Sequence, residues 1–321
     1  MSDVGIQAYL MQVLRKQYTS LIDAWHYAGR PEQAAECAEQ AVQQGVWTHP
    51  MQRARDHFPG LSVAPIHDPA QFWFIGLLEE NYRPIRDELE RVLRASHDPL
   101  RPTAEERALI RRGEWEQAHL FRAGMRQDDI CALFPVTADI VARIPDITTL
   151  GPGLVSYSRL TPGTHITPHC GPTNAVLRVH FPIIVPPGPS LRVADREMRW
   201  EEGKCLVFDD AFEHEVWHRG TEDRIVLILD VFHPELDSER RERLLTQRRS
   251  FEEQAAEFVR ELRIDRVEAR GQELVMYPDP GLRGELQRYL NLAGATGAES
   301  HGDGVVWRRA DPNTVAKEPI S

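Results

Sequence analysis

A mainly β fold, an antiparallel sandwich or barrel with helical additions at both ends, is predicted by three features of the 321-residue sequence. From Pro152 to Pro234 short alternating segments follow one another: "LVSYSRL", "AVLRVHFPIIV", "SLRVAD", "KCLVFDD", "HEVWH" and "DRIVLILDVF". Corners rich in Gly and Pro, "TPGT", "PPGP" and "EEGK", separate them, and such even spacing suits a closed or two-layered antiparallel sheet. Helical periodicity, by contrast, is confined to the flanks.

Two helices open the chain, roughly Gly5 to Tyr27 and Glu32 to Gln44, because Gly29 can end the first and Pro31 fits the first turn of the second. The stretch "YAGRPEQAAECAEQAVQQG" resembles half of a tetratricopeptide repeat, with Ala34, Ala35 and Ala41 at close-packing positions. A solenoid needs several such units and one is found, so residues 1–45 read as a helical hairpin packed on the main domain. Gly45 to Asp68 is rich in Trp, His and Pro without a sustained period and reads as a loop-dominated connector. "FWFIGLLEENYRPIRDELERVLRAS" has helical spacing, with Pro84 as a kink or boundary. "GEWEQAHLFRAG" and "CALFPVTADIVARIP" predict short strands and one further helix. Residues 46–236 thus form the main domain. Residues 237–321 form a C-terminal extension with a long charged helix and a less regular, polar tail.

Composition narrows the function. A net charge of −11 and a pI of about 5.7 disfavour nucleic acid, and "RRERLLTQRR" in its Glu-rich surroundings reads as a solvated helix face. The N-terminal stretch has no basic and apolar leader pattern, and no apolar run reaches bilayer length, so no membrane partner is expected. Cys37, Cys131, Cys170 and Cys205 are scattered, with neither zinc-site pairs nor disulfide density, which predicts a cytoplasmic protein.

The chemistry concentrates in "THITPHCGPTNAVLRVHFP", which carries His165, His169, Arg178 and His180. Arg178 and His180 lie two apart in an alternating strand and share one face of the sheet. His169 precedes that strand at a turn, His214 opens "HEVWH", and Arg224 lies in the strand after it. In a small closed sheet these residues can meet. Two neutral imidazoles with an open coordination sphere suit Fe(II) and oxygen chemistry.

The blocks "PGTHITPHCGPTNAVLRVHFP", "WEEGKCLVFDDAFEHEVWH" and "RIVLILDVFHPEL", in that order, resemble the aspartyl/asparaginyl β-hydroxylase family of Fe(II)- and 2-oxoglutarate-dependent dioxygenases. "GVWTHPMQRARDHFPGLSVAPIHD" resembles the segment preceding that catalytic core, so the likeness runs from Val46 to Leu236. It implies a double-stranded β-helix, the jelly-roll or cupin-like core. It implies His169 and His214 as catalytic iron ligands, Arg224 on the distal carboxylate of 2-oxoglutarate, Ser158 and His180 as cosubstrate hydrogen-bonding residues, and Arg178 facing the substrate's acidic group. The implied reaction consumes O2 and 2-oxoglutarate, releases succinate, and hydroxylates an unactivated carbon. The substrate it suggests is an Asp- or Asn-like residue in a peptide or carrier-bound biosynthetic intermediate.

Two positions depart from the usual patterns. Gly171 stands where a facial triad places its carboxylate, a gap that the family shares and that a water would fill. Val176 stands where many members have a second Arg. Other readings are hydroxylation of another small molecule or lipid acyl chain, halogenation through the vacant position at Gly171, or a non-catalytic module whose terminal helices bind a protein partner. His165 is expected to support the ligands from outside. His218 and His233 are expected to be structural or surface residues, and Cys170 to be a packing residue. Asp209, Asp210, Glu213 and Glu215 read as turn caps or solvent-facing acids, Trp200 and Trp217 as sheet packing, and Trp47, Trp73 and Trp115 as core or seam.

Overall fold

The computed structural model describes residues 3–95, 98–102 and 109–247 and the segments 266–270, 273–277, 299–301 and 304–308. The helical hairpin is present as α1 (Asp3–Tyr27) and α2 (Pro31–Gln43). Gly29, at φ +70°, supplies the left-handed turn between them, a conformation costly for any residue with a Cβ. Small side chains Ala34, Ala38 and Ala41 of α2 let the helices approach, and with Cys37 they bury Ile22, Val46 and Trp47.

Strands β1 (Ile66–His67), β2 (Arg101–Pro102), β3 (Ile110–Arg112), β4 (Trp115–Arg122) and β5 (Met125–Arg126) precede the main strand run. That run comprises β6 (Val155–Leu160), β7 (His165–His169), β8 (Val176–Ile184), β9 (Pro189–Val193), β10 (Arg196–Met198), β11 (Leu206–Phe208), β12 (His214–His218) and β13 (Arg224–Phe232). Among the described residues they form two antiparallel sheets, ordered β1-β11-β8-β13-β6-β4-β2, with β5 paired to β4, and β10-β9-β12-β7-β3. From β6 to β9 each successive strand changes sheet, β10 pairs back on β9, and β11 to β13 alternate again. This wrapping is the jelly-roll, double-stranded β-helix expected from the resemblance.

Strand β13 is buried along its whole length, since helices cover one face of its sheet and the second sheet covers the other. Ile225, Leu227, Leu229 and Val231 pack with Leu177, Val179 and Phe181 of β8 against a helical layer that includes Ile85, Leu89 and Val141. The alternate residues face the second sheet, where Val226 and Ile228 meet Leu191, Val193 and Val216. Pro84 sits in the first turn of the helix Tyr82–Arg94, separated at Asn81 from the helix Phe74–Glu80, so it marks a boundary rather than a kink. "CALFPVTADIVARIP" yields two short helices, Asp128–Leu133 and Pro135–Ala142, instead of one. Buried Glu88 caps the second, accepting from Val136 N, Thr137 N and Thr137 Oγ1 at 2.7–2.8 Å.

The chain divides into two compact units, residues 1–245 and 246–321. Helix begins at Ser238 and is described as far as Gln247; the rest of the expected long helix lies outside the described residues. The tail holds strands that its sequence did not announce: β14 (Arg266–Arg270), β15 (Glu273–Tyr277), β16 (Glu299–His301) and β17 (Gly304–Arg308), paired in the order β14-β15-β17-β16. Among the described residues no helix is long and apolar enough to cross a membrane.

Candidate active site

A pocket opens between the two sheets, with about 360 Å³ of empty space including its open mouth. His169 and His214 line it from the smaller sheet, while Ser158, Arg178, His180 and Arg224 line it from the larger one. All six residues singled out in the sequence therefore meet. Strand alternation explains why: Arg178 and His180 on β8, Ser158 on β6 and Arg224 on β13 occupy inward positions, whereas their immediate neighbours face the helical layer.

His169 and His214 are direct cross-strand partners on β7 and β12, with ring centroids 4.0 Å apart. Each Nδ1 donates to a backbone carbonyl two residues earlier, His169 to Thr167 at 2.8 Å and His214 to Phe212 at 2.9 Å. Nδ1 thus carries the hydrogen and each Nε2 keeps its lone pair. Burial is the main cause lowering both pKa values, to about 3 for His169 and about 4 for His214, so both imidazoles are neutral, the state in which they can hold a metal. Among the described residues no group of three or more His, Cys, Asp or Glu side chains gathers as a metal site. The two imidazoles stand as a pair.

Gly171 explains the missing third side chain. A Cβ built there would fall within 2.8 Å of the Asp210 carboxyl group, and Gly171 N donates to Asp210 O at 2.6 Å. No side chain fits unless Asp210 moves. Asp210 in turn lies 3.2 Å from Arg178 Nη1, so the expectation of capping or solvent-facing acids fails for it. Asp209 does cap its turn, accepting from Ala211 N at 2.9 Å, but it is buried, also accepts from Gln52 Nε2 at 2.5 Å, and has its pKa raised to about 7, chiefly by burial. Glu213 is held between Arg53 and Arg192, each at 2.9 Å, while Glu215 binds His165 at 2.8 Å. These pairs brace β12, the strand that carries His214.

The deep end of the pocket presents hydrogen-bond donors. Trp200 Nε1 donates to His180 Nδ1 at 3.0 Å, which leaves the His180 hydrogen on Nε2. Trp115 Nε1 donates to Ser158 Oγ at 2.9 Å, which leaves the Ser158 hydroxyl hydrogen free to donate elsewhere. Arg224 is fully buried, its guanidinium 4.7 Å above the Trp200 ring, and its Nε and Nη1 have no hydrogen-bond partner. Burial lowers its pKa to about 9, so it remains a cation at neutral pH. Such a group of donors around an unneutralised cation fits a carboxylate.

The sequence reading missed the two tryptophans as orienting groups. A Trp near a polar site can signal this role, because its single N–H seeks a partner when buried. Trp73, expected in the core or a seam, is 61% exposed and donates to Asp146. His218 and His233 are both buried, which fits the structural of the two roles expected for them. His165 stacks on Trp217 with ring centroids 3.4 Å apart, pairs with Glu215 and does not line the pocket. Cys170 is half-buried, and desolvation pushes its thiol up to about 12, which disfavours the thiolate.

A jelly roll with two inward histidines opposite a buried arginine is the frame in which the sequence comparisons are set. Residues 79–234 match the family model described as aspartyl/asparaginyl beta-hydroxylase, and in this segment the chain is similar to that family. It is 36% identical over 231 residues to human "Aspartyl/asparaginyl beta-hydroxylase", an overlap of 71% of this chain and 30% of that protein. It is also 36% identical over 180 residues to "Ornithine lipid ester-linked acyl 2-hydroxylase" of Rhizobium tropici, covering 54% of this chain and 62% of the relative. The chain thus spans about a third of the human relative's length. Solved structures that overlap it include a predicted oxalate decarboxylase from Thermotoga maritima (15% identity, TM-score 0.29, 43% of this chain and 96% of that one). Another is a cupin 2 conserved barrel domain protein from Salinispora arenicola (14% identity, TM-score 0.26, 47% and 99%). The strand order itself carries the fold assignment.

Proposed function

We propose that the chain is a non-haem Fe(II)- and 2-oxoglutarate-dependent hydroxylase acting on an Asp- or Asn-like residue in a peptide or carrier-bound biosynthetic intermediate. One observation carries the reading: Arg224 is buried as a cation whose Nε and Nη1 lack partners, in the same pocket that His169 and His214 line. A buried charge in this state is costly unless an anion completes it. The residues fit both groups, since neutral imidazoles suit Fe(II) and the deep donors suit a dicarboxylate. When bound, iron and 2-oxoglutarate would supply oxygen activation and the reducing equivalents of hydroxylation, with succinate and CO2 released.

The protein's own part is placement. Arg224 and the Ser158 hydroxyl would hold the distal carboxylate, His180 Nε2–H would donate beside them, and Trp115 and Trp200 fix the hydrogen positions of the last two. Ile166, Leu191, Phe208, Val216 and Ile228 wall the pocket and restrict water. The Rhizobium relative's name suggests an acyl chain as a second reading, favoured by the apolar contact of Val176 with Phe232 and Leu236.

Anaerobic titration of metal-free protein with Fe(II) and 2-oxoglutarate tests the proposal. A weak visible charge-transfer band is expected in the intact protein and not in His214→Ala. Absence of the band in both would move the non-catalytic reading to the front.

A further inference from the structure

Outward from His180 the inner face of the larger sheet carries a second polar cluster, centred on Arg178. Its Nε and Nη2 donate to Asp230 Oδ1 and Oδ2 at 3.0 and 3.2 Å, a fork across the β8–β13 pair, in which Arg178 and Asp230 are register partners. Its Nη1 lies 3.2 Å from Asp210 Oδ2. One guanidinium is therefore shared by two carboxylates, and the cluster has a formal charge of −1. Arg178 and Asp230 retain 22% and 12% side-chain exposure, so this charge is felt by a molecule entering the mouth. Two residues further out on the same face stand Val176 and its register partner Phe232, both part of an apolar cluster with Leu61 and Phe58.

A substrate carboxylate at Arg178 would compete with Asp230 and Asp210 for one cation, beside two like charges. Like-charge juxtaposition of this kind disfavours a partner in an interface. A carboxamide meets no such conflict: its oxygen can accept from the guanidinium, and its NH2 can donate to carboxylate lone pairs beyond those used by Arg178. We infer that the substrate group recognised at Arg178 is an uncharged carboxamide, and that the Arg178–Asp210–Asp230 cluster discriminates against a carboxylate in the same place. This deepens the proposed function and rests on it, for it selects the Asn-like over the Asp-like substrate.

The test uses two peptides that differ in one residue, N-acetyl-Ala-Asn-Ala-amide and N-acetyl-Ala-Asp-Ala-amide. Each is titrated anaerobically at neutral pH into the full chain loaded with Fe(II) and 2-oxoglutarate, following the shift of the charge-transfer band. The Asn peptide is expected to bind at least about tenfold more tightly. Val176→Arg, which adds a cation on the same face, and Asp230→Asn, which removes an anion, should each move the ratio about tenfold or more toward the Asp peptide. Should Asp230→Asn fail to fold, Val176→Arg at its half-buried position carries the test. Equal or tighter binding of the Asp peptide by the wild type, or a ratio unmoved by Val176→Arg, overturns the inference. So does a band that forms normally and responds to neither peptide, an outcome that leaves the cosubstrate site standing. A band that never forms refutes the underlying hydroxylase reading instead.

Discussion

Replacing Arg224 by Met should make the ligand-free protein more stable while destroying its response to 2-oxoglutarate. In the fold the guanidinium is 2% exposed, Nε and Nη1 lack partners, and desolvation alone lowers its pKa to about 9. At 1.36 kcal/mol per pK unit, the drop from an ordinary Arg corresponds to roughly 5 kcal/mol between the charged and neutral forms. The folded pKa still exceeds 7, so the charged form is present at neutral pH and the fold carries this cost. The sign follows: a base with a lowered folded pKa destabilises the fold below that pKa, and stability recovers as pH rises above about 9. Met fills similar space without charge. It forgoes the stacking over Trp200, worth roughly 0.5–2 kcal/mol. The net expectation is a gain of about 3 kcal/mol, or roughly 6–12 °C in melting temperature for the larger compact unit.

Calorimetry with and without cosubstrate separates this from ordinary stabilisation. At a 2-oxoglutarate concentration one hundred times its Kd, wild type should gain about 2.7 kcal/mol, and Arg224→Met should gain nothing. A variant less stable than wild type in the absence of cosubstrate would show that Arg224 is compensated within the fold. An equal gain from 2-oxoglutarate in both proteins would place the carboxylate elsewhere. Either result refutes the reasoning from its orphaned nitrogens.

Three further perturbations are open to measurement. Trp200→Phe removes the donor to His180 Nδ1, so the imidazole can hold its hydrogen on either nitrogen; 2-oxoglutarate affinity should fall by roughly five- to fiftyfold, read from the band titration, while the melting temperature changes little. Glu88→Ala strips the helix Pro135–Ala142 of three acceptor contacts and should cost about 2–4 kcal/mol in urea denaturation, with Glu88→Gln recovering part of it. Asp209 has a folded pKa raised to about 7, so it contributes stability at low pH that is lost as pH rises through that value; Asp209→Asn should flatten the stability profile between roughly pH 4 and 7.

Alternation made the inward set legible. Arg178 and His180 had to share a face once β8 was recognised, and Leu177, Val179 and Phe181 beside them had to face the other way. What periodicity could not give was anything held by single contacts across long sequence separations. The Gly45–Asp68 connector has no pattern. Yet Gln52 and Arg53 reach Asp209 and Glu213, and Arg53 N and Glu213 N exchange backbone bonds with Ala211 O and Met51 O at 2.9 and 2.7 Å. Asp210, Glu213 and Glu215 looked like turn caps because their partners, Arg178, Arg53, Arg192 and His165, lie elsewhere in the chain. The strands β14 to β17 went unseen because "RVEARGQELVMY" is rich in charge, and charged residues are weak strand formers when judged without a partner sheet.

The two sheets divide the site between them, and this division bears on which residues can change. The smaller sheet sets one spacing, that of His169 and His214, through a single register pair on β7 and β12 and two backbone carbonyls that orient the rings. Side chains around them can vary without moving Nε2, because the orienting acceptors are main-chain atoms. Gly171 cannot vary in that way. Its Cβ would fall within 2.8 Å of the Asp210 carboxyl group, and Asp210 is also tied to Arg178. A methyl at position 171 therefore pushes on the turn after His169 and on the Arg178–Asp210 ion pair together. Gly171→Ala should cost about 1–3 kcal/mol of stability from overpacking. It should also weaken Fe(II) binding and alter peptide selectivity in the same variant, measured by band titration with and without peptide. Loss of stability alone, with both binding properties intact, would mean that Asp210 can swing aside and that the two halves of the site are mechanically independent.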